Sequence, residues 1–500
     1  MTTPLVNEQR FIEATRDTGY RSTSTAIAEL VDNAIQAGAS IVRIFTDQTG
    51  VGVDREISIA VLDNGTGMDT LTLSMAMQFA GSTRFNDRSG LGRFGMGLPN
   101  SSVSQARRVD VYSWQDRGKV NHTYLDVDEI IKGDLRSVPF PRRKPLPNWA
   151  DKHVRKRTGT LVAWSRCDRL DNRKATTIAD KLHRSLGQKF RYYLWDGNKI
   201  YINDTLVAPF DPMYFRVRTG LESARPFGGT LTLEFRVPAD PHRTSSVEVR
   251  FAELPIDAWY DLPLETRREL GITKGAGVSV VRSGREIDHG WYFMGTKRKE
   301  NYDDWWRCEV RFEPELDELF GVTHSKQEIN PCNLLRFELS QHLEGIAQSL
   351  NSRVRMAFAA VKKKADRPPT EAESVAEKRE QKLPALSIPL KSNQKLGSHS
   401  FSSKRLKYRL DFESLNTPDL YVWSIRKDGT LSITVNQNHA FCEQLFGTLK
   451  EAEHCVIRHR LECLFLALAR AELACTDETT ADIRFFRRTF GNLLATYLGD

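Results

Sequence analysis

Several features that would place the chain in a familiar class are absent from its 500 residues. No run of about 18 apolar residues occurs, so no ordinary membrane-spanning helix is expected. The first residues lack the basic segment and apolar run of a secretory signal. The seven cysteines are scattered without a CxxC pair, which suits reduced thiols rather than a disulfide framework. We therefore expect a cytoplasmic protein with no membrane partner.

One group of potential metal ligands occurs among the cysteines and histidines. His454, Cys455, His459 and Cys463 follow one another at roughly helical spacing. Zinc ligands usually come as short pairs from two elements closed by a turn, which this spacing does not provide. Small residues of a buried helix are therefore the preferred interpretation, and a zinc site is the alternative.

The charge balance of the chain is moderately basic. Lys and Arg total 72 against 64 Asp and Glu, which gives a net charge of +8. Such an excess is compatible with anionic partners but does not establish nucleic-acid binding. Basic residues form runs at 142–144, 152–157, 297–299 and 362–364. Taken singly, each run is more typical of a solvated loop than of a patch that contacts phosphates.

Length and composition predict a folded protein of several domains. The chain is longer than one hydrophobic core usually supports, and its 40% hydrophobic and 27% charged residues are ordinary for a globular protein. The apolar patterns predict an α+β fold, with an α/β sandwich at 1–210, a second α+β domain at 211–360 and a small α+β domain at 405–500. Residues 361–404 lose aromatic residues and gain Lys, Glu, Ser and Pro, which predicts a charged linker with little order.

The predicted elements follow from periodicity and from start and stop residues. Helical patterning fills residues 7–37, with a cap between Ser22 and Thr25 and an end at Gly38. The predicted strands of the first domain are 40–46, 56–62, 108–114, 120–126 and 159–165. Its other predicted helices are 70–79 and 176–194. Those of the later domains are strands 229–236, 246–253, 277–283, 306–312, 407–412, 419–425 and 430–435, and helices from Pro331, 436–446, 449–475 and 479–497.

The second half of the first helical stretch carries two polar residues on one face. In AELVDNAIQAG, Glu29 and Asn33 are four residues apart, opposite an apolar stripe. Their side chains can therefore converge on one site. On their own, a carboxylate and a carboxamide on a polar helix face are typical of a solvated surface.

Two glycine-containing segments and a threonine are further candidates for a binding site. The run EISIAVLDNGTGMD predicts a buried strand that delivers Asp63 into a turn with Gly65 and Gly67, where backbone can approach a flat ligand closely. The segment SGLGRFGMGLPNSS places glycines before a predicted helix start, which can cradle phosphate, although it lacks the GK[ST] of a P-loop. Thr160 opens a strand in TGTLVAW, and its hydroxyl could lie beside the acid.

In this order the four pieces resemble the ATP-binding motifs of the GHKL superfamily, the class of gyrase, heat-shock chaperones, histidine kinases and MutL. The motifs are ExxxN on a helix, DxGxG after a strand, a GxxGxG lid and a distal GT, and they cover residues 20–170. The resemblance implies a Bergerat-fold ATPase domain that uses ATP and Mg²⁺. The few residues of these four motifs are enough for phosphoryl transfer, because its catalysis depends mainly on positioning, a metal ion and an oriented water.

The resemblance also implies roles for individual residues. The position of Glu29 polarises the attacking water, and that of Asn33 holds the Mg²⁺ ion that bridges the phosphates. Asp63 would accept from the adenine amino group, with room from Gly67 and assistance from Thr160. The remaining positions implied to bind nucleotide are Gly65, Met68, Gly92, Gly95, Met96 and Gly97.

A second region extends the resemblance beyond the ATPase motifs. GVSVVRSGREID at 277–288 and FGVTHSKQEINP at 320–331 are similar to the transducer domain, with a ribosomal S5-like fold, that follows the ATPase module in this class. In relatives a lysine on a transducer loop reaches the γ-phosphate, which implies a catalytic role for Lys326. Without the resemblance, Lys326 would be one of many exposed lysines.

The lid GRFGMGL and the phrase FGVTHSKQ are most similar to MORC-type and heat-shock-chaperone-type members. This similarity implies a homodimer that closes as a clamp on binding ATP. DNA is the favoured client because basic runs occur in both of the first two domains. The phrase ITVNQNHAFCEQLFG is similar to prokaryotic relatives associated with defence against mobile DNA. The alternatives are a chaperone-like or signalling ATPase that binds a partner protein through the C-terminal domain, and a nucleotide switch with negligible turnover.

Overall fold

The fold is described from a computed structural model of the chain. The described residues are 7–20, 22–50, 52, 55–79, 81, 96–154, 156–217, 221–260, 262, 264–322, 328–365, 367–384, 406–415, 417–425, 429–446, 449, 455–475 and 479–498. The chain divides into two compact units. The first comprises Met1–Ile256 and Arg268–Met356, and the second comprises Asp257–Arg267 and Ala357–Asp500. The four-part division expected from the sequence stays a prediction.

The first half of unit one is built from eight strands and the helices that accompany them. The helices are α1 (Glu8–Thr18), α2 (Thr23–Gln36), α3 (Thr70–Ala76), α4 (Gly97–Val103), α5 (Val127–Lys132), α6 (Asn148–Asp151), α7 (Ala175–Lys189) and α8 (Arg191–Trp195). The strands are β1 (Ile41–Thr49), β2 (Glu56–Asp63), β3 (Arg108–Trp114), β4 (Asn121–Asp126), β5 (Arg142–Arg143), β6 (Gly159–Ser165), β7 (Lys199–Ile202) and β8 (Thr205–Leu206).

The helical pattern expected over residues 7–37 forms two helices rather than one. Helix α1 ends at Thr18, and Ser22 caps α2 by accepting a hydrogen bond from the backbone N–H of Thr25 at 3.2 Å. This cap was predicted, and it satisfies one of the N–H groups that a helix start leaves unpaired. Ile27 and Val31 of α2 are fully buried, so the apolar stripe faces the core as expected.

The eight strands form one sheet in the order β5-β4-β3-β6-β2-β1-β7-β8. Neighbours pair antiparallel, except that β1 and β7 are parallel. Apolar residues of α1, α2, α4 and α7 cover one face and form the main core. On the other face, Trp114 and Leu161 pack beneath a segment that includes Leu146, Ala150 and Val154. The predicted α/β sandwich is therefore confirmed.

A second, five-stranded sheet follows in the same unit, in the order β12-β11-β13-β10-β9. Its strands are β9 (Arg225–Val237), β10 (Asp240–Glu253), β11 (Val278–Arg282), β12 (Arg285–Gly290) and β13 (Trp306–Phe312). The helices that follow in the chain are α9 (Ile256–Trp259), α10 (Leu264–Glu269), α11 (Asp317–Phe320) and α12 (Asn333–Ala365), with 3₁₀ turns at Asn301–Trp305 and Pro314–Leu316. Most of α9 and α10 and the end of α12 belong to the second unit. Strands β11 and β13 are parallel and the other pairs are antiparallel. The expected second α+β domain is confirmed as a fold.

The second unit contains a three-stranded sheet in the order β14-β16-β15. Its elements are α13 (Glu371–Arg379), a 3₁₀ turn at Glu380–Lys382, β14 (Lys407–Glu413), β15 (Tyr421–Ile425), β16 (Thr430–Asn436), a π-helical turn at Cys442–Phe446, α14 (Cys455–Leu473) and α15 (Thr480–Leu498). Leu431, Ile433 and Phe465 lie in its core. The α+β character predicted for residues 405–500 is confirmed, whereas the bounds of a domain there stay a prediction.

Part of the stretch that composition assigned to a linker is helical. Helix α12 continues to Ala365, and α13 lies within residues 361–404. A capping box explains the start of α13, because the Thr370 side chain accepts from the Glu373 backbone and the Glu373 side chain accepts from the Thr370 backbone. Ala372 is fully buried in the core of the second unit. Composition is therefore a poor guide here, because one buried face is enough to order a charged helix.

Two further observations concern the described part of the chain. No helix there has the length and apolar character needed to cross a membrane. The same residues contain no group of three or more His, Cys, Asp or Glu side chains that could hold a metal ion. Of the candidate zinc ligands, His454 and the side chain of Cys455 lie outside the described residues, whereas Cys463 Sγ is 3.7 Å from His459 Nε2.

Candidate active site

Helix α2 carries the first candidate residue in an unusual environment for an acid. Glu29 is only 3% exposed, and a buried carboxylate is costly unless it has partners or a function. Its carboxyl group lies against Gly97, the first residue of α4. A Cβ atom added to Gly97 would be 2.1 Å from Glu29 Oε1. The solvated-face interpretation of Glu29 is therefore wrong, and only glycine leaves the carboxylate where it is.

Asn33 lies one turn further along α2 and is partly exposed. Glu29, Asn33 and Ala37 follow at intervals of four residues, so they share one helix face. The turn that follows Asp63 packs against the Ala37 end of this helix face. There the Thr66 N–H donates to the Ala37 carbonyl at 3.0 Å, and a Cβ on Gly65 would be 2.9 Å from Ala37 Cβ. The distance along the helix from Ala37 to Glu29 is about 12 Å. Glu29 therefore lies at one end of this helix face, and the turn that follows Asp63 lies at the other end.

Asp63 ends strand β2, as the sequence predicts. Its Oδ1 accepts a hydrogen bond from the Gly65 N–H at 2.8 Å. Burial raises the pKa of Asp63 to about 6, and the backbone hydrogen bonds from Gly65 and Thr160 oppose that rise only in part. The carboxyl is thus a hydrogen-bond acceptor held in surroundings poor in water, which suits recognition of a flat, polar-edged ligand.

Strand register brings Asp63 and Thr160 together and adds a residue that the motifs do not contain. Asp63 pairs with Thr160 across β2 and β6, and Thr160 pairs with Ser113 across β6 and β3. The Ser113 and Thr160 hydroxyls are 2.9 Å apart, and the Met68 N–H donates to Ser113 Oγ at 2.8 Å. Ser113 was missed because only its position as a polar residue near the end of a buried strand could have indicated it.

Two glycines allow the backbone around Asp63 to close up. Gly67 has a φ of +67°, and a Cβ there would be 2.0 Å from the Trp114 carbonyl oxygen. A Cβ on Gly159 would be 2.4 Å from the Asp63 carbonyl oxygen. The turn, β3 and β6 are therefore in contact through main chain, which explains the glycines of both the DxGxG and the GT motifs.

The structure places the other predicted residues unevenly. Met68 is partly buried against the main core, and Met96 and Gly97 lie at the start of α4, also partly buried. Gly92, Gly95 and Lys326 lie outside the described residues, so their predicted roles stay predictions. The described site thus brings together α2, the turn after β2, β3, β6 and the start of α4.

A second depression opens on the other side of Asp63. It is partly open to solvent. Its lining includes Arg43, His153 and Lys156. Asp204 already engages two of these, at 2.9 Å from Arg43 Nη1 and 3.7 Å from His153 Nδ1. This depression contains neither Glu29 nor Asn33, so we treat it as a rival position for a ligand.

Comparison with known proteins agrees with this arrangement. Residues 20–157 match a family described as histidine kinase-, DNA gyrase B-, and HSP90-like ATPase. The chain is also similar to MORC family CW-type zinc finger protein 3 of Mus musculus, with 28% identity over 132 residues. That similarity covers 25% of this chain and 14% of the mouse protein, so the chain spans a small part of that relative's length.

The family match includes Glu29, Asn33 and Asp63, and it ends three residues before Thr160. The motifs, the layered fold and the match agree on one class. Residues 20–157 therefore match the GHKL class of ATPases in motifs, fold and family model, with similarity to a MORC-family protein.

Proposed function

We propose that the chain binds ATP between α2 and the turn after β2 and hydrolyses it to ADP and phosphate. The observation that carries this proposal is the buried Glu29 carboxylate against Gly97 at one end of the α2 face. The other end of that face, about two helical turns away at Ala37, packs against the turn that follows the desolvated Asp63. An acid that recognises a base and an acid that orients water must be separated by roughly the length of a nucleotide. The two ends of the α2 face supply such a separation.

At the base end, Asp63 accepts a hydrogen bond from the adenine amino group. Thr160 and Ser113 form a hydroxyl pair beside it at 2.9 Å. Gly67 lets the turn after β2 pack directly on the Trp114 main chain, since a Cβ there would lie 2.0 Å from the Trp114 carbonyl oxygen, and the ring would lie beside this closely packed turn. A carboxylate that accepts from an amino group rejects a purine with an oxo group at the same position, which would be left as an unpaired acceptor.

At the phosphate end, Glu29 orients and polarises the attacking water. The carboxylate is held against the first residue of α4, where backbone N–H groups can face phosphate oxygens. Asn33, one turn away on the same face, would supply a protein oxygen to Mg²⁺. The donor set fits this ion, since Mg²⁺ in nucleotide sites is held by few protein oxygens together with phosphates and water. When bound there, Mg²⁺ would neutralise charge on the phosphates.

The test separates binding from hydrolysis with two variants. Glu29→Ala should keep ATP affinity within a few-fold of the wild type and lose turnover, because it removes only the group that orients water. Asp63→Ala should lose affinity. Glu13→Ala, an exposed acid on α1, is the matched control and should change neither. Normal turnover in Glu29→Ala would show that Glu29 is not the water-orienting acid.

We further propose that ATP binding drives N-terminal homodimerisation, with Lys326 reaching the γ-phosphate, so that the two copies close as a clamp. The support is the resemblance to MORC-type and heat-shock-chaperone-type members. Mass measurement by light scattering with a non-hydrolysable ATP analogue and Mg²⁺ tests it. The expected mass is twice that of the chain, and a monomer at saturating analogue would reject the clamp. Lys326→Ala should lower turnover while Lys363→Ala, an exposed lysine of α12, should not.

DNA is the client that we propose, acted on in the cytoplasm. Residues 136–157 contain eight Lys and Arg against one acid, nearly the whole net charge of +8. Buried Leu146, Ala150 and Val154 anchor this segment on the outer face of the first sheet. Its basic side chains Arg142, Arg143 and Lys144 are exposed. Exposed Phe140 (66%) and Trp149 (42%) add aromatic surface that can stack on bases.

Charge reversal in this segment tests the DNA proposal. The triple variant Arg142→Glu, Arg143→Glu, Lys144→Glu should weaken binding and reduce the salt slope of log affinity by about 3, if each cation meets one phosphate. Lys362→Glu with Lys363→Glu, exposed cations of α12, is the control for charge reversal outside this segment, with two reversed charges against three. Absent or salt-independent DNA binding would sink the proposal. Defence against mobile DNA is the associated biological role, and it requires that Glu29→Ala abolish protection of a prokaryotic host from phage.

One observation favours a second candidate, a chaperone-like or signalling ATPase with a protein partner. Helix α15 exposes Phe486 (68%), Phe490 (43%), Leu493 (47%) and Tyr497 (76%). Their spacing of three and four residues places them on one face, and such an apolar stripe is typical of an interaction surface. Suppression of the aggregation of an unfolded client, lost in Phe486→Ser with Tyr497→Ser, would favour this function over DNA.

A further inference from the structure

The second sheet reaches the ATPase helix through one tight hairpin. Strands β11 and β12 are joined by Ser283 and Gly284, which have φ values of +45° and +77°. A two-residue turn with both φ values positive holds the flanking residues in a fixed register. Arg282 and Arg285 therefore stand opposite each other at the ends of the two strands. Both are almost completely buried, although arginine is usually exposed.

The two arginines have different acidic partners. Arg282 forms two hydrogen bonds with Asp317 of α11, at 2.6 and 2.8 Å. Arg285 instead reaches into the first domain, where its Nε lies 2.8 Å from Asp32 Oδ1 in a pair with side chains 3% and 0% exposed. Asp32 precedes Asn33 in α2 and lies three residues after Glu29. The second sheet thus holds the helix that carries the candidate catalytic acid.

Tyr20 lies in the same buried environment and links the two acids of α2. Burial raises its pKa well above the ordinary value, and the negative charges of Glu29 and Asp32 raise it further, while the positive charge of Arg285 acts in the opposite direction. A tyrosine that experiences all three charges has them as near neighbours. A shift of Arg285 therefore changes the electrostatic surroundings of Glu29 as well as those of Asp32.

The residue after Arg285 is fixed to the end of α7 and to α8 of the first domain. Glu286 accepts from Gln188 Nε2 at 2.5 Å and from Arg191 Nη1 at 2.6 Å. Arg191 also donates to Glu309 of β13 at 2.5 Å. These groups are buried and charge-assisted, so the hairpin cannot slide without breaking several strong hydrogen bonds. In this hairpin, Arg285 is the residue that forms an ion pair with α2.

We infer that Arg285 is a positioning residue for ATP hydrolysis, which acts through Asp32 to set the Glu29 carboxylate. The inference rests on the proposed ATPase function. It gives the second sheet a route to the water-orienting acid that is built from described residues and is separate from the predicted contact of Lys326 with phosphate. A shift of the second sheet would change turnover through the Arg285–Asp32 pair. Nucleotide binding at α2 would in turn shift the second sheet through the same pair.

The test compares the two arginines of the turn. Arg285→Gln and Arg282→Gln each leave a buried acid without its arginine, so both should lower the unfolding temperature. Only Arg285→Gln should lower kcat, by tenfold or more, with the Kd for ATP within about threefold of the wild type. The double variant Asp32→Asn with Arg285→Gln removes both charges, so it should recover thermal stability without recovering kcat. If either glutamine variant does not fold, Arg285→Lys and Arg282→Lys serve for the same comparison.

The outcomes separate this inference from the proposed function. If wild-type chain binds and hydrolyses ATP and Glu29→Ala abolishes turnover, the proposed function stands. Equal kcat losses in the two arginine variants would then overturn the role of Arg285 and leave it as a structural ion pair. Recovery of kcat together with stability in the double variant would overturn it as well. A wild-type chain without ATP turnover would instead overturn the proposed function.

Discussion

Asp63→Asn should make the unliganded protein more stable while weakening its hold on ATP. In the folded protein the pKa of Asp63 is raised to about 6 by burial, whereas an unfolded chain has an Asp pKa of about 3.9. The folded state therefore binds the proton more tightly than the unfolded state between these values. Stability must fall as pH rises through this window, by about 3 kcal/mol in all at 1.36 kcal/mol per pKa unit.

The stability change of about 3 kcal/mol is an upper bound, because Asp63 keeps some contact with solvent. Asparagine has no charge to bury, but its neutral amide oxygen is a weaker acceptor than a carboxylate for the backbone N–H groups of Gly65 and Thr160, which costs about 1 kcal/mol. The net gain for Asp63→Asn above pH 7 is thus about 1–2 kcal/mol. ATP affinity should fall about tenfold to a hundredfold, since a hydrogen bond to a charged acceptor contributes about 1.5–3 kcal/mol.

Urea unfolding of both proteins between pH 4 and pH 8 measures the effect. The stability difference should be small at pH 4, grow as pH rises to about 6, and then stay constant. Asp69→Asn is the control, because Asp69 is an exposed N-cap of α3 whose pKa is lowered by the backbone hydrogen bond from Thr72. The difference in unfolding free energy between Asp69→Asn and the wild type should not show this increase between pH 4 and pH 6. A difference for Asp63→Asn that is independent of pH would refute the desolvated carboxylate.

Three further substitutions test the close contacts of the site. Gly97→Ala should lower turnover by about a hundredfold with little loss of ATP affinity, because its Cβ would lie 2.1 Å from Glu29 Oε1 and must displace that carboxylate; unchanged kcat in a steady-state assay would contradict the contact. Gly67→Ala should yield a protein that unfolds at much lower temperature, since the φ of +67° and a Cβ 2.0 Å from the Trp114 carbonyl both oppose a side chain. Ser113→Ala should destabilise the fold by about 1–3 kcal/mol, because the Met68 N–H would lose its acceptor, and it should weaken ATP binding; calorimetric unfolding and titration measure the two effects, and no change in either would remove Ser113 from the site.

The local features of the fold were predictable where short-range chemistry decides them. The cap at Ser22 and the apolar stripe of α2 follow from caps and periodicity. The strands at 108–114 and 159–165 have the bounds that their β-rich runs indicate. The helical pattern continues through the break between α1 and α2, so only the predicted cap at Ser22 indicates where the second helix starts.

The features that depend on tertiary pairing were beyond the sequence. The neighbourhood of Asp63, Thr160 and Ser113 exists only through the antiparallel registers of β2, β6 and β3. The motif resemblance supplied Asp63 and Thr160, but no residue pattern marks Ser113. The buried charges Arg285 and Asp32 were also missed, because charged residues are normally expected at the surface unless a partner is known.

The central claim is that ATP lies along α2, with its base at Asp63 and its phosphates near Asn33, Glu29 and Gly97. A crystal structure of the chain with a non-hydrolysable ATP analogue and Mg²⁺ tests this claim most directly. We predict the adenine amino group within hydrogen-bond distance of the Asp63 carboxylate and the γ-phosphate beside Glu29. A nucleotide bound instead in the depression lined by Arg43, His153 and Lys156, or one whose γ-phosphate lies far from Glu29, would contradict it.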